Sequence, residues 1–372
     1  MAKITSYDFD GDGTLGKVVA SAMARAGVRR ARDVKAAKVV FTYFDDEGDL
    51  EDAYFDSEGL VQLANLGTFL VDLSPASPRF AQELFAVASV SDLHFVAAPL
   101  AVADPAAEAP FAPENLTILA GGETADVQEV AGLLAALGTV HRVGSAEEAQ
   151  LAKAAYTIAQ TSRLVAAIET DALFRAVSAS TLHAAPDVER ARELLPADDV
   201  RESVLRAVLA KQFSSGYTVE MLYGEIAAAL TAADDVELIL PQLEAAMSLV
   251  ELLEVIEERP LAPAALSLLF ADQEEGRRHG LDWARSKEFF AEGGVTDTGW
   301  DDEDDEDDGH VHGHAHTHLH GDDCDCGHDH THVHAPVRPR AGSADAFYDD
   351  EDQPYGFDRF DIGHLGEDDG ED

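Results

Sequence analysis

Ten histidines and two cysteines crowd into residues 309–334. His310, His312, His314, His316, His318 and His320 alternate with small or apolar residues, Cys324 and Cys326 follow, and His328, His330, His332 and His334 close the run. Neutral imidazole and thiolate are preferred ligands of Zn2+, Ni2+ and Cu2+. So many donors exceed the need of one tetrahedral or octahedral ion, and no fixed spacing marks a rigid structural zinc site. The pattern reads as flexible loading and release of a divalent transition metal, nickel or zinc before copper, since only two thiolates are present. The interleaved aspartates raise local cation concentration and also favour imidazolium, so metal and proton compete for the same nitrogens.

A second constellation sits near the start. Gly11-Asp-Gly13-Thr-Leu-Gly16 is a G-x-G-x-x-G between a strand-like stretch (residues 4–9) and an apolar helical one (14–26). That is where a dinucleotide-binding turn belongs, with glycines permitting close approach and a helix N-terminus facing a pyrophosphate. Two rivals use the same residues. Asp10-Gly-Asp12-Gly-Thr14-Leu15 fits the nucleophile motif of haloacid dehalogenase-like phosphatases, but no later lysine and acidic pair stand in matching contexts. Asp8, Asp10 and Asp12 begin like a calcium loop, but Val19 stands where a bidentate Glu is needed. The dinucleotide reading carries its own cost, because the same three aspartates crowd negative charge where a pyrophosphate would sit.

The elements that must position these groups fall into three parts. Residues 38–44, 68–73, 93–97, 116–119 and 139–143 are β-rich runs with amphipathic stretches between them, notably 78–88 and 124–137, so residues 1–144 read as an α/β domain with a largely parallel sheet. Residues 146–177 read as one long interdomain helix. Further helices at 197–212, 218–231, 236–258, 262–271 and 281–290 make residues 145–292 an all-α domain. Residues 293–372 form an acidic tail expected to be disordered. Residues 301–372 carry 24 Asp and Glu against three Lys and Arg, with few aliphatics, too little apolar surface to offset the ordering entropy.

The whole 372-residue chain has a formal net charge of -46. This argues against nucleic acid, whose phosphates need clustered Lys and Arg. The acidic body fits a salt-rich cytoplasm and also ordinary compositional drift, and both stay open. No run approaches the ~20 apolar residues of a membrane span, and the first residues lack an apolar signal core. Cys324 and Cys326 read as metal ligands rather than a disulfide, so a cytoplasmic location is expected. Residues 346–362 mix aromatics with acids, as a short partner-binding motif or a solvated end.

Five stretches, Ala37 to Asp46, Gly67 to Pro78, Phe95 to Pro99, Leu116 to Gly122 and Phe213 to Tyr217, keep an order and spacing that resemble the β-hydroxyacid dehydrogenase family, which includes 3-hydroxyisobutyrate and 6-phosphogluconate dehydrogenases, with imine reductases as relatives. The resemblance implies a Rossmann-type domain, NAD(P) held at Gly11, Gly13 and Gly16, and a helical domain that mediates a homodimer. It also exposes departures. Gln150 stands at the family's catalytic lysine and Ala154 at its asparagine, so no ammonium is available for acid–base assistance there. Lys153, three residues on, falls about 60° off that face and reads as a solvated surface lysine.

Ala101-Val102-Ala103 replaces the family's substrate-loop Ser-Gly-Gly, and Ser74 keeps one of two substrate-binding hydroxyls. The family's Lys-Asp of the helical domain reads Gly224-Glu225. The second strand, whose end would read the adenosine ribose, reads as deleted, and Arg29, Arg30 and Arg32 are left either as 2′-phosphate contacts or as surface arginines. The favoured expectation is a divergent, non-catalytic relative that binds, buffers or delivers metal to a metalloenzyme client. The alternative is an active NAD(P)-dependent oxidoreductase of the 3-hydroxyisobutyrate dehydrogenase or imine reductase type, and a haloacid dehalogenase-like phosphatase is more remote.

Overall fold

The computed structural model describes residues 4–179 and 188–287. The His/Cys segment, from His310 to His334, and the expected disordered tail lie outside the described residues.

The chain opens with β1 (Ser6–Gly11), in which Tyr7 and Phe9 point into the core while Asp8 and Asp10 point away, the period of two that a strand imposes. Helix α1 (Gly13–Ala26) buries Leu15, Val19, Ala22 and Met23 on one stripe and stops at Gly27, whose left-handed φ of 73° closes the C-terminus. The next elements are β2 (Arg29–Arg30), β3 (Val39–Tyr43), α2 (Glu47–Phe55), α3 (Leu60–Leu63), β4 (Phe69–Asp72), α4 (Pro78–Val90), β5 (His94–Ala97), β6 (Leu100–Val102), β7 (Leu116–Gly122), α5 (Thr124–Leu137) and β8 (Thr139–Gly144). The helical part follows as α6 (Ala146–Ala179), α7 (Val188–Arg192), α8 (Asp199–Leu209), α9 (Val219–Asp234), α10 (Pro241–Ile256) and α11 (Gln273–Arg278).

One sheet runs β2-β1-β3-β4-β5-β7-β6, with β8 also pairing β7. Its first five strands are parallel, as expected, while β5 and β6 meet opposite ends of β7 antiparallel. Every residue of β3 is buried because both faces are covered. One face packs Leu50, Tyr54, Phe80 and Leu84 against Val40, Leu70 and Phe95; the other joins α1 and α5 to the core of the helical part. The fold is thus a Rossmann-like domain followed by a helical domain.

Helix α6 is 34 residues, about 50 Å long. It packs on α4 and β7 near its start and on α8, α9 and α10 further along. One helical expectation is corrected: residues 262–271 form a 3-10 helix (Pro263–Phe270), a short stretch held between Pro263 and the extended Ala271. Within 281–290 a 3-10 turn (Trp283–Arg285) leads into helical residues 286–287, and the rest of that stretch lies outside the described residues.

Candidate functional site

The sheet order reverses at β1. The chain steps outward from β1 to β2, then back inward to β3, so the crevice at a topological switch point opens at Gly11 and Tyr43, where open α/β sheets bind ligands. The glycines take distinct roles. Gly11 has φ 120°, and a Cβ there would lie 1.9 Å from the Tyr43 carbonyl oxygen, which also accepts the Asp12 N–H at 3.0 Å. A Cβ on Gly13 would meet nothing within 4 Å, leaving the turn open. A Cβ on Gly16 would lie 3.1 Å from the Phe9 ring, so this glycine sets how closely α1 lies on the sheet. Tight turn, open approach and helix–strand packing are the three tasks of a dinucleotide turn.

The charges there are of the wrong sign for a phosphate. Asp12 is the N-cap of α1, and its carboxylate accepts the Thr14 N–H at 2.7 Å and the Leu15 N–H at 2.8 Å. These are among the four free donors that make a helix start attractive to anions. Burial pushes the Asp10 carboxyl above its ordinary range, and Asp8 adds to the shift. Burial does the same to Asp45, reinforced by Asp12, Asp49 and Asp46. Across the crevice, Glu220 on α9 is raised by burial and then by Asp45 and Asp12, and Glu254 on α10 by burial and then by Glu220 and Asp45. Glu257, raised first by burial, reaches about 7. A cleft of about 310 Å³ between the β3–α2 turn and α9–α10 is lined by Asp45, Asp46, Asp49, Glu220 and Glu254. Among the described residues, no three His, Cys, Asp or Glu side chains are grouped so as to hold a metal ion.

The helical part also closes down on this crevice. A Cβ on Gly224 of α9 would lie 1.9 Å from the Asp45 carbonyl oxygen, so the position cannot carry the lysine that the family places there. A Cβ on Gly216 would meet the Thr14 methyl and the Phe111 ring at 3.4 Å.

On the other side, the expectation of a deleted second strand is corrected: β2 exists, with two residues. Arg29 and Arg30 pair in parallel with Ser6 and Tyr7, the start of β1, and reach no further. Beyond them the Arg30 guanidinium donates to Asp8 Oδ1 at 3.2 Å and to the Phe9 carbonyl at 3.3 Å. The shortening of the loop, not loss of pairing capacity, cuts the strand off before it can wall an adenosine site. Arg29 and Arg32 are exposed.

Gln150 and Ser74 are brought together, but as structure. Gln150 is fully buried; its Nε2 donates to the Ser74 carbonyl at 2.9 Å, and its Oε1 accepts the Ala76 N–H at 3.2 Å. Ser74 Oγ donates to Asp72 Oδ1 at 2.6 Å and accepts the Phe44 N–H at 3.0 Å. These bonds bolt the β4–α4 loop and the end of β3 to α6. Burial pushes the Asp72 carboxyl up to about 6 against the donors from Ser74 and Thr42 that would lower it.

Lys153 is the main correction. It is 3% exposed, and its ammonium lies 2.6 Å from Glu225 Oε2, itself buried on α9. Thr157 Oγ1 donates to the same oxygen at 3.4 Å. Burial lowers the Lys153 pKa, opposed by Glu225. Negative Glu225 adds to the burial that raises the hydroxyls of Tyr43 and Tyr217. The buried stripe of α6 runs Ala146, Ala149, Gln150, Lys153, Ala154, Thr157 and Thr161. A core-facing stripe is about 100° wide or more, so a residue three on from a buried one belongs to it. That spacing was the readable signal for Lys153. Asp12 was readable from the glycine turn itself, but Glu220 and Glu254 carried no local signal, since their approach to it depends on how α9 and α10 return to the sheet.

Residues 10–146 match the family model described as the NAD binding domain of 6-phosphogluconate dehydrogenase. A probable 3-hydroxyisobutyrate dehydrogenase-like 2, mitochondrial, of Arabidopsis thaliana is 28% identical over 131 residues, 35% of this chain and 42% of that protein. The 2-(hydroxymethyl)glutarate dehydrogenase of Eubacterium barkeri is 23% identical over 255 residues, 67% of this chain and 81% of that one. In three dimensions a 3-hydroxyisobutyrate dehydrogenase from Salmonella typhimurium superposes with a TM-score of 0.57 at 16% identity, covering 71% of this chain and 99% of that one. The chain is thus similar to members of the β-hydroxyacid dehydrogenase family, most specifically over its dinucleotide-binding-type domain.

The family implies a nicotinamide dinucleotide. The backbone at Gly11, Gly13 and Gly16 has the shape for one, but the residues around it do not fit: Asp12 holds the helix-end amides, carboxylates line the crevice, and β2 stops short of the adenosine side.

Proposed function

We propose that the body is a dehydrogenase-fold platform that does not bind NAD(P) productively in its native form, and that the chain acts through divalent-metal binding by residues 309–334. One observation carries the first half: the Asp12 carboxylate on the Thr14 and Leu15 amides, where a pyrophosphate would have to sit. A carboxylate ~5 Å from a phosphate charge costs about 3 kcal/mol at an effective dielectric near 20, and Asp10 and Asp45 stand near the same turn. The second half rests on the sequence alone, on ten imidazoles and two thiols in one short segment. Titration of the full-length protein with NADH and NADPH, followed by fluorescence, tests the platform reading. Saturation is expected to be absent up to about 1 mM. Micromolar binding with substrate turnover would overturn it.

A second reading has its own observation. The buried Lys153–Glu225 pair on the interdomain helix puts an amine and a carboxylate beside Tyr217 and Tyr43. With the family match, this supports an NAD(P)-dependent oxidoreductase of the 3-hydroxyisobutyrate dehydrogenase or imine reductase type. The same titration separates the two readings. The phosphatase reading gains no support, because Asp10 and Asp12 belong to a dehydrogenase-type glycine turn. Dimerisation through the helical domain remains part of the proposal. Leu173, Leu209 and Phe270 are exposed apolar side chains there, and light scattering of the eluting protein reads the mass.

A further inference from the structure

We propose that the Asp12 side chain is a built-in stand-in for a dinucleotide phosphate, and that this one side chain, rather than collapse of the turn, closes the crevice to dinucleotides. The inference rests on the platform reading and names the group responsible. Three explanations compete for a dehydrogenase fold that rejects its ligand: a collapsed turn, a diffuse acidic field, and a specific occupant. The turn is not collapsed. Gly11 keeps φ 120°, Gly13 is open, and Gly16 still seats α1 on Phe9. The acidic field exists, but Asp10, Asp45, Glu220 and Glu254 take no hydrogen bond from the first turn of α1, whose amides at Thr14 and Leu15 go to one atom, Asp12 Oδ1. A carboxylate oxygen accepting two helix-end amides at 2.7 and 2.8 Å reproduces the contacts of a bound phosphate oxygen.

Asp12 has φ -55° and ψ 131°, a conformation open to any residue, so replacing it leaves the backbone unstrained. A graded set of variants separates the explanations. Asp12→Ala removes both the occupant and the charge. Asp12→Gly does the same with a residue that is itself tolerated at a helix N-cap, which guards against a folding defect. Asp12→Asn removes the charge but leaves an oxygen able to hold the amides. Asp45→Asn removes a charge elsewhere in the crevice.

The probes are NADPH, followed by fluorescence, and inorganic pyrophosphate, followed by calorimetry, both on the full-length protein. A stand-in predicts that Asp12→Gly and Asp12→Ala bind NADPH and pyrophosphate at least tenfold more tightly than the native chain, with Asp12→Asn in between and Asp45→Asn near native. Folded Asp12→Gly protein with native affinity overturns the inference and leaves the platform reading standing. Asp45→Asn gaining as much as Asp12→Gly overturns it in favour of a diffuse field. Micromolar binding by the native chain overturns the platform reading itself.

Discussion

The Lys153 ammonium meets Glu225 Oε2 at 2.6 Å, and the pair joins the interdomain helix α6 to α9 from inside the protein. Taking two charges out of water is costly, and removing one partner of such a pair strands the other. Lys153→Met and Glu225→Gln are each expected to lose about 3–5 kcal/mol of unfolding free energy, and the double replacement by apolar residues to recover much of that loss. Urea unfolding of the three variants reads this directly. Single variants within about 0.5 kcal/mol of native would return Lys153 to the role of a surface residue.

Restoring the family lysine should damage the fold. Gln150 is fully buried between the Ser74 carbonyl and the Ala76 amide, and Gln150→Lys would leave that amide without an acceptor and bury an ammonium. A loss of about 2–3 kcal/mol is expected, visible as a lower melting temperature, without a gain in dehydrogenase activity. A stable, active Gln150→Lys protein would favour the oxidoreductase reading.

Stability should rise on mild acidification. Asp72 titrates near 6 in the folded chain and near 3.8 when exposed. Its contribution is therefore fully present below 3.8 and lost as pH rises through 6. Glu257, at about 7 when folded, acts with the same sign at higher pH. Asp198 and Glu275, held low by Arg163 and Lys211, oppose this, but their carboxyls titrate below the ordinary range. From pH 7.5 to 5.5 the Asp72 share is at most about 1 kcal/mol, the first part of a total of about 3 kcal/mol that is complete only below 3.8. Asp72→Asn keeps an oxygen for Thr42 and Ser74, which all donate to Oδ1, and should flatten the profile. Urea midpoints that fall between pH 7.5 and 5.5 in the native chain would contradict the assignment.

Metal binding should follow the protonation of imidazole. Affinity of residues 309–334 for nickel or zinc is expected to drop sharply between pH 7.5 and about 5.5, since ordinary histidine titrates near 6.5. Isothermal titration at both pH values with unchanged affinity would argue against imidazole as the ligand.

Much of this fold was legible because its long elements are strongly patterned. Helix α5 runs over residues 124–137, as the spacing of its apolar residues predicts, and α6 starts at Ala146, the first residue of the long helical stretch read from the sequence. The strands β3, β4 and β5 were legible because nearly all their residues are buried and most are apolar. What escaped was short or non-local. Strand β6 has three residues and is defined by pairing with β7, from Leu100 opposite Ile118 to Val102 opposite Leu116. Strand β2 has two residues and no apolar signature. The burial of Lys153 followed from helix geometry, but its partner Glu225 lies 72 positions away, and the carboxylates facing Asp12 come from α9 and α10, so no window of the sequence holds them together.

The shortness of β2 has a further consequence, for how copies of this chain behave at high concentration. A strand without an outer neighbour offers its amides and carbonyls to any passing strand. Past Tyr7, the outer side of β1 is finished instead by one ion pair: Asp8 Oδ1 accepts the Phe9 N–H at 2.9 Å, and Arg30, bound to that oxygen, donates to the Phe9 carbonyl. Two side chains thus do locally what the rest of a strand would have done, satisfying both polar groups of one edge residue and covering them with charge. Loss of that pair would leave both polar groups of Phe9 open at the sheet edge, an invitation to strand pairing between copies.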